Sequence, residues 1–167
     1  MENLWAPWRM AYIAPKTQQP DICIFCAYPA DNRDAEHHIL YRGEHCFMML
    51  NIYPYNNGHL MIAPYQHEGT IENLSPETLT ELMTQAQLVL RALRLAMNPD
   101  GFNMGINQGK VAGAGFAEHV HLHVVPRWNG DTNFMPVLAD VKVIPEHLDS
   151  VYEKLKQALD QVQKEPE

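Results

Sequence analysis

The amino-acid sequence predicts an α+β fold, in which an antiparallel sheet of about five strands carries one long inserted helix and a C-terminal helix. Short strand-like segments separated by turn signals follow one another along the chain instead of alternating with helices. One long amphipathic segment, 75–97, interrupts them, and a second, 145–162, comes near the end of the chain. The length of 167 residues is that of a single domain.

The first predicted element is an arm over residues 1–20, rich in proline and aromatic side chains, that is expected to wrap a partner surface. Turn signals at Gly43-Glu44 and at Tyr55-Asn56-Asn57 then separate runs of strand-forming residues. Three strands are therefore predicted before the long helix: 37–42, 45–51 and 58–64.

The long helix has clear signals at both ends. Ser75 is a good N-cap, Pro76 suits the first helical position, and residues 98–101 (Asn-Pro-Asp-Gly) end the pattern. Its predicted core stripe is Leu79, Leu82, Met83, Ala86, Leu90, Leu93 and Met97. The closing helix carries a second stripe, made of Leu148, Val151, Tyr152, Leu155, Leu159 and Val162. Residues 163–167 are predicted to be frayed.

A row of histidines dominates the second half of the chain. A strand over 102–108 and a glycine-rich loop over 109–115 lead into a strand over 119–125. Because successive side chains of an extended chain point to opposite faces, this strand places three histidines together: His119, His121 and His123. The aliphatic residues between them are predicted to face the core. The alternative is a half-exposed strand whose polar face consists of imidazoles without a catalytic role. The glycine-rich loop beside the strand favours a catalytic role for the histidines.

The composition excludes several classes of protein. The hydrophobic content is 46%, and the formal net charge is −8, which argues against a protein that coats nucleic acid. No apolar run approaches a membrane span, and the amino terminus lacks the uninterrupted apolar segment of a secretory signal. The three cysteines do not make a disulfide framework. We therefore expect a cytoplasmic protein with neither a membrane nor a nucleic acid as its partner.

Residues 119–125, His-Val-His-Leu-His-Val-Val, resemble the signature of the histidine triad (HIT) family, in which histidines alternate with aliphatic residues. The likeness extends to Asn51, which closes a strand, and to Gly58-His59-Leu60, which precedes a long helix. Residues 4–13 and 123–134 further resemble the branch of bacterial diadenosine tetraphosphate phosphorylases, which is similar to the fragile histidine triad hydrolases. The resemblance covers nearly the entire chain and implies the family's fold and chemistry.

The resemblance implies a catalytic centre built from the three histidines and His59. His121, the central histidine, is implied to attack the α-phosphorus and to form a nucleotidyl-histidine intermediate. Imidazole suits this role because its ordinary pKa leaves much of it uncharged near neutral pH. His123 is implied to donate to phosphate oxygens, His119 completes the catalytic row, and His59 is implied to support the triad.

Other residues are implied to bind the substrate. Asn51 resembles the family asparagine that hydrogen-bonds the ribose hydroxyls, and Asn107 or Gln108 lies near the position of a phosphate-binding amide. Backbone N–H groups of residues 109–117 are predicted to form an anion-binding loop, where glycine permits close approach. Its expected substrate contacts are Gly109, Gly115 and Phe116.

Two basic residues near the site have open roles. Relatives often carry a hydroxyl just ahead of the triad, but residues 114–117 of this chain have none. That contact with the leaving group then falls to Lys110 or to backbone amides. Arg127 either neutralises phosphate or pairs at a subunit interface.

Cys23-Ile-Phe-Cys26 has the spacing of a zinc knuckle, although the same pair also fits two buried thiols. In some triad proteins such a pair is completed by two histidines, which the resemblance places at His67 and His119. A structural zinc site is therefore expected at Cys23, Cys26, His67 and His119. Four protein ligands fill a tetrahedral ion, so this metal would not be the catalyst, and no catalytic cofactor is expected. Cys46 is expected to be a small core residue.

The predicted function is cleavage of dinucleoside polyphosphates, such as diadenosine tetraphosphate, at the α-phosphate, with phosphorolysis and hydrolysis both open. The expected partners are an adenine dinucleotide, inorganic phosphate and a second copy of the chain in a homodimer. One alternative is a nucleotide-binding protein with residual nucleoside phosphoramidase activity. Another is a metal-dependent hydrolase in which the three histidines bind a catalytic ion.

Overall fold

The computed structural model describes residues 22–132 and 143–164, so the predicted arm over 1–20 lies outside the described residues. A five-stranded sheet has the order β1-β2-β3-β5-β4, with every neighbouring pair antiparallel. The predicted α+β class, with a long inserted helix and a C-terminal helix, is confirmed. The elements are α1 (Ile24–Ala30), β1 (Ile39–Arg42), β2 (Cys46–Leu50), β3 (Leu60–Pro64), α2 (Pro76–Met97), β4 (Gly101–Ile106), β5 (Leu122–Arg127) and α3 (Leu148–Lys164).

Helix α2 begins and ends at its predicted caps. The Ser75 hydroxyl accepts a hydrogen bond from the backbone N–H of Thr78, and Asn98 ends the helix in the left-handed conformation, with φ 45°. The predicted core stripe is wrong at Met83, which is 55% exposed because it lies at the rim of the buried face. The buried positions of α2 are Thr78, Leu82, Gln85, Ala86, Val89, Ala92 and Leu93.

Helix α3 packs against α2 and β1. It begins at Leu148, three residues later than predicted, and continues to Lys164. Gln163 and Lys164, which the sequence predicted to be frayed, are therefore helical. Leu148, the first residue of its predicted stripe, is half-buried. The rest of the stripe is confirmed, with these side chains buried: Val151, Tyr152, Leu155, Leu159 and Val162.

The sheet separates two hydrophobic cores. The larger core lies between the sheet and the pair α2 and α3, and it includes Cys46, which is fully buried as predicted. The smaller core lies on the other face of the sheet and consists of Phe25, Ile39, Phe47, Met49, Met61 and Ala63. Phe25 belongs to α1, so this short helix covers part of the second face.

The strands before and after α2 are shorter than predicted. β1 starts at Ile39 because His38 has φ 55°, a conformation that does not fit a strand. β4 starts at Gly101, which the sequence assigned to the helix stop, and it ends at Ile106. Among residues 22–132 and 143–164, no helix combines the length and the apolarity that crossing a membrane requires.

Candidate active site

The triad histidines lie at the start of β5, but only His123 is part of the strand. His119 and His121 precede Leu122, so the predicted strand over 119–125 is wrong in its first three residues. The backbone there is nevertheless held in place, and all three histidines are buried.

The ladder between β3 and β5 explains where β5 begins. Ile62 pairs with Leu122 at the end of this ladder, and Val120 instead donates its N–H to the carbonyl of Glu68, at 2.7 Å, in the loop after β3. The predicted alternation of side chains still holds, since the aliphatic residues between the histidines all belong to the larger core: Val120, Leu122 and Val124. The histidines therefore face the opposite side of the sheet, where α1 lies.

His121 is fixed with one ring nitrogen available for attack. Its Nδ1 lies 2.9 Å from the backbone carbonyl of His119, so Nδ1–H donates to that oxygen and the lone pair lies on Nε2. Burial lowers the pKa of His121, with the carbonyl hydrogen bond opposing the effect, and this keeps the imidazole neutral. The ring of Phe25 supports it, with 4.5 Å between the ring centroids. Neutral imidazole with a free Nε2 is a nucleophile.

His123 is oriented by a relay that starts at a backbone amide. The N–H of Tyr55 donates to Nδ1 of His59 at 3.0 Å, so the proton of the His59 ring lies on Nε2. That Nε2 lies 3.0 Å from Nδ1 of His123 and donates to it. His123 therefore carries its own proton on Nε2, beside His121, with 4.7 Å between these two ring centroids.

Burial keeps this relay neutral. It lowers the pKa of His59 to about 3 and that of His123 to about 4, and the charge that neighbouring imidazoles would carry adds to both shifts. A neutral His123 still presents an N–H donor, which is the group that a phosphate oxygen requires.

Asn51, the predicted ribose ligand, ends β2 next to this relay. Its Nδ2 lies 3.4 Å from Nδ1 of His59, and its Oδ1 accepts the backbone N–H of Tyr53 at 2.9 Å. The structure therefore brings Asn51, His59 and the triad together, as the resemblance implied. Whether Asn51 holds a ribose stays a prediction.

The glycine-rich loop leads directly into the triad. Gly109 and Gly113 have φ 84° and 89°, and the chain makes a short 3-10 turn between them. Only glycine adopts these conformations without strain. Asn107 lies near this loop, and a Cβ placed on Gly113 would come 3.9 Å from its Nδ2.

Of the two amides considered for phosphate, Gln108 is occupied elsewhere. Its Oε1 accepts the backbone N–H of Ile71 at 2.9 Å, and its Nε2 donates to Glu72 at 2.9 Å. Phe116 packs its ring edge against Phe25, with 5.6 Å between centroids, so its side chain belongs to the second core. These contacts leave Asn107 as the better placed amide.

Arg127 is bound within the chain. Its guanidinium donates to both carboxylate oxygens of Asp131, at 2.6 and 2.8 Å, and to Asn103 at 2.6 Å. The same ion pair holds the pKa of Asp131 well below its usual range. Three of the five N–H donors of Arg127 are directed to Asp131 and Asn103, and its role toward phosphate or at a subunit interface stays a prediction.

A second group of polar side chains lies beside the triad, and its donor atoms all fall within 4.8 Å of one another: Cys23, Cys26, His67 and His119. Nδ1 of His119 is 3.3 Å from Sγ of Cys23 and 3.3 Å from Nδ1 of His67. With zinc bonds of about 2.0–2.3 Å, the ligand atoms of a tetrahedral ion lie about 3.3–3.8 Å apart. Nε2–H of His119 donates to the carbonyl of Pro64 at 2.8 Å, which leaves Nδ1 with the lone pair that a metal needs. The four residues fit zinc.

Sequence reasoning missed three residues of this region. Phe25 stands between the two cysteines and packs on His121, but a helix of seven residues shows no periodicity that would have marked it as core. Asn56 was recognised only as a turn residue. Asp131 lies in the segment after the triad that carried the branch resemblance, and that segment was the one signal pointing to it.

Comparisons with known proteins agree with this geometry. A family model described as HIT domain matches residues 32–130. AP-4-A phosphorylase of Mycobacterium tuberculosis is 40% identical over 154 residues, which cover 89% of this chain and 79% of that protein. Bis(5'-adenosyl)-triphosphatase of Dictyostelium discoideum is 33% identical over 89 residues, which cover 53% and 59%. The crystal structure of a Zn-bound histidine triad family protein from Mycobacterium smegmatis superposes with a TM-score of 0.69 at 32% identity, covering 84% of this chain and 95% of that one.

Proposed function

The chain belongs to the HIT domain family, and we propose that it cleaves dinucleoside polyphosphates of the diadenosine tetraphosphate type at the α-phosphate through a nucleotidyl-histidine intermediate. The observation that carries this proposal is the orientation of His121, whose Nδ1–H is bound to the His119 carbonyl and whose Nε2 is left as the nucleophile. The 40% identity to an AP-4-A phosphorylase supports the substrate class.

In the first step, Nε2 of His121 attacks the α-phosphorus and a P–N bond forms. The bond from that phosphorus to the bridging oxygen breaks, and the leaving nucleotide keeps the electron pair. With diadenosine tetraphosphate the leaving group is ATP, and AMP stays on the enzyme. Nε2–H of His123 donates to the phosphoryl oxygens, on which negative charge gathers during the transfer.

In the second step, an acceptor oxygen attacks the same phosphorus and the P–N bond breaks. Inorganic phosphate as acceptor yields ADP, and water yields AMP. Both return His121 to its neutral form, so the cycle closes without a change in the protein. Two displacements in place of one difficult step are what covalent catalysis provides.

The cluster of Cys23, Cys26, His67 and His119 is proposed to hold a structural zinc ion, which would tie α1 to the segment that carries His121. Zinc with four protein ligands supplies cross-linking rather than an open position for substrate. Because His119 directs Nδ1 at the cysteines while His121 and His123 present Nε2 elsewhere, the three triad rings do not converge on one ion. This geometry favours nucleophilic catalysis over a hydrolase built on three metal-bound histidines.

Product analysis on diadenosine tetraphosphate, with and without inorganic phosphate, tests the proposal. We expect ATP together with ADP when phosphate is present, because the phosphorylase relative covers 89% of this chain. ATP together with AMP in both conditions would assign hydrolysis to the same intermediate. Two molecules of ADP without phosphate, or turnover of adenosine phosphoramidate with no cleavage of the dinucleotide, would contradict the proposed function.

A further inference from the structure

The segment after the triad ends in a buried carboxylate that the reaction does not use. Asp131 has a side chain only 8% exposed. Its oxygens accept hydrogen bonds from the guanidinium of Arg127, from the backbone N–H of Trp128 at 3.1 Å and from Nδ2 of Asn56 at 2.8 Å. The bond from Asn56 joins two segments that lie 75 residues apart in sequence. Hydrogen bonds from this many donors hold the buried carboxylate in one position.

Asn56 connects the Asp131 carboxylate to the turn before β3. It is 6% exposed, and its Nδ2 donates both to Asp131 and to the carbonyl of Pro126, the latter at 3.0 Å. Its own carbonyl accepts the backbone N–H of His59 at 3.1 Å. The turn is thereby bonded at one side to the end of β5 and at the other to His59.

The residue before Asn56 supplies the first donor of the histidine relay. The N–H of Tyr55 reaches Nδ1 of His59 at 3.0 Å, whereas the other donor near that nitrogen, Nδ2 of Asn51, lies at 3.4 Å. The direction of the Tyr55 amide therefore decides which nitrogen of His59 carries the proton. The Tyr55 ring also supports this turn, because it packs on the rings of His59 and His123 with 4.5 and 5.6 Å between centroids, although Tyr55 is 55% exposed.

We propose that Asn56, held by Asp131, is a positioning residue that aims the Tyr55 amide at His59 and so places the proton of His123 on Nε2. This inference rests on the proposed function, because the proton on Nε2 matters when a phosphate oxygen has to be bound. If the turn relaxes, His59 loses the shorter of its two hydrogen bonds at Nδ1, only the 3.4 Å contact from Asn51 remains, and the proton redistributes between the two ring nitrogens. His123 then presents a lone pair to the phosphate for part of the time, and the donor is lost.

Two alanine variants in the same turn test this. Asn56→Ala removes the anchor, and Asn57→Ala is the matched control, since Asn57 is also buried, at 8% exposure, but donates to Glu146 at 3.2 Å. We expect Asn56→Ala to lower kcat about 10- to 100-fold with little change in KM, as for a misplaced catalytic group. Asn57→Ala is expected to keep kcat near the wild-type value.

The protonation of the rings is read directly by long-range ¹H–¹⁵N NMR on protein labelled at histidine. In the wild type, His59 is expected to carry its proton on Nε2, and in Asn56→Ala the two nitrogens of His59 are expected to move toward an averaged position. Asp131→Asn, which is close in shape, is the second variant if Asn56→Ala does not fold, and it is expected to shift the same resonances in the same direction.

Three results would overturn the inference: a wild-type His59 with its proton on Nδ1, unchanged His59 resonances in a folded anchor variant, or an equal loss of kcat in Asn57→Ala. The NMR measurement needs no substrate. A protein that fails to cleave dinucleotides but shows the expected shift would therefore refute the proposed function and leave the positioning role standing.

Discussion

At the scale of the residue, the three triad histidines differ in which ring nitrogen carries the proton and which is left for a ligand or substrate, because each ring has a different hydrogen-bond partner. His119 has its proton on Nε2, toward the Pro64 carbonyl, and offers Nδ1 to the cysteine cluster. His121 has its proton on Nδ1, toward the His119 carbonyl, and so has its lone pair on Nε2, the proposed nucleophile. His123 accepts a bond at Nδ1 from His59 and offers Nε2–H as a donor. The hydrogen bond of one ring nitrogen thus sets the chemistry of the other.

Because the relay of His59 and His123 is buried in its neutral form, we predict that the protein is less stable in mild acid than at neutral pH. Folding holds the pKa of His59 at about 3 and that of His123 at about 4, below the ordinary value of about 6.5 that the unfolded chain has. The unfolded state therefore binds more protons between these values, and the free energy of unfolding falls as the pH drops from about 6.5 toward 4. Urea unfolding at a series of pH values between 7 and 4 measures this.

A neutral replacement isolates the contribution of the relay. His59→Gln is expected to unfold at lower urea at pH 7 but to lose less stability on acidification than the wild type. His147→Ala is the control. His147 pairs with Asp149, and both side chains are exposed, at 79% and 74%, so solvent weakens this pair and its loss is expected to change the slope much less than His59→Gln does. An acid slope that is the same in His59→Gln and the wild type would show that His59 is not buried in its neutral form.

At the scale of the element, the stability of α1 depends on its contacts with the rest of the protein. Seven residues are too few for a helix to be stable alone, and Pro29 lies within it. Its first turn follows Cys23 and includes Cys26, and Phe25 packs against both His119 and His121. A metal ion bound by this turn and His119 would hold α1 against the second face of the sheet. Losing the ion would release the support of the nucleophile.

We predict about one zinc ion per chain in protein purified without chelator, as four ligands of one tetrahedral site imply. Removing it with a chelator is expected to lower Tm, because metal that binds only the folded state stabilises it. Metal analysis and thermal unfolding check both statements.

Cysteine variants assign the metal to this cluster. Cys26→Ser is expected to lose the zinc and to lower Tm, whereas Cys46→Ala, which alters a buried thiol in β2, is expected to keep it. Full zinc content in Cys26→Ser, or the same Tm with and without metal, would contradict the assignment.

The elements that the sequence predicted well are those whose first and last residues are determined by neighbouring residues in the chain. Caps at Ser75 and Asn98 gave the bounds of α2, because each cap bonds to its own first or last turn. The start of β5 was misplaced because it depends on where the pairing between β3 and β5 ends, at Ile62 and Leu122, which no pattern within 119–125 records. Helix α1 was missed because it is short and is held by the packing of Phe25 in the smaller core and against His119 and His121 rather than by its own periodicity.

At the scale of the whole molecule, the sheet order assembles the site. β3 and β5 are neighbours although α2 and β4 lie between them in sequence, so His59 before β3 meets His123 in β5. The triad could be found by inspection of seven consecutive residues, since its spacing is local. The cysteine pair was also visible from its local spacing. The contributions of His59 and His67 were reached only through the family resemblance, because their meeting with the other residues is a property of the topology. The homodimer stays a prediction.

Trapping the bond between Nε2 of His121 and phosphorus tests the proposed nucleotidyl-histidine intermediate. Wild-type protein is mixed with diadenosine tetraphosphate labelled at the α-phosphate, quenched in alkali and digested. His121→Ala serves as the negative control, and His147→Ala serves as the positive control. We expect an alkali-stable adduct of AMP on the wild-type peptide that contains His121. The adduct is expected to be absent in His121→Ala, with turnover nearly abolished and the fold retained. An active wild type without the adduct, or a His121→Ala protein that keeps most of its activity, would contradict the proposed intermediate.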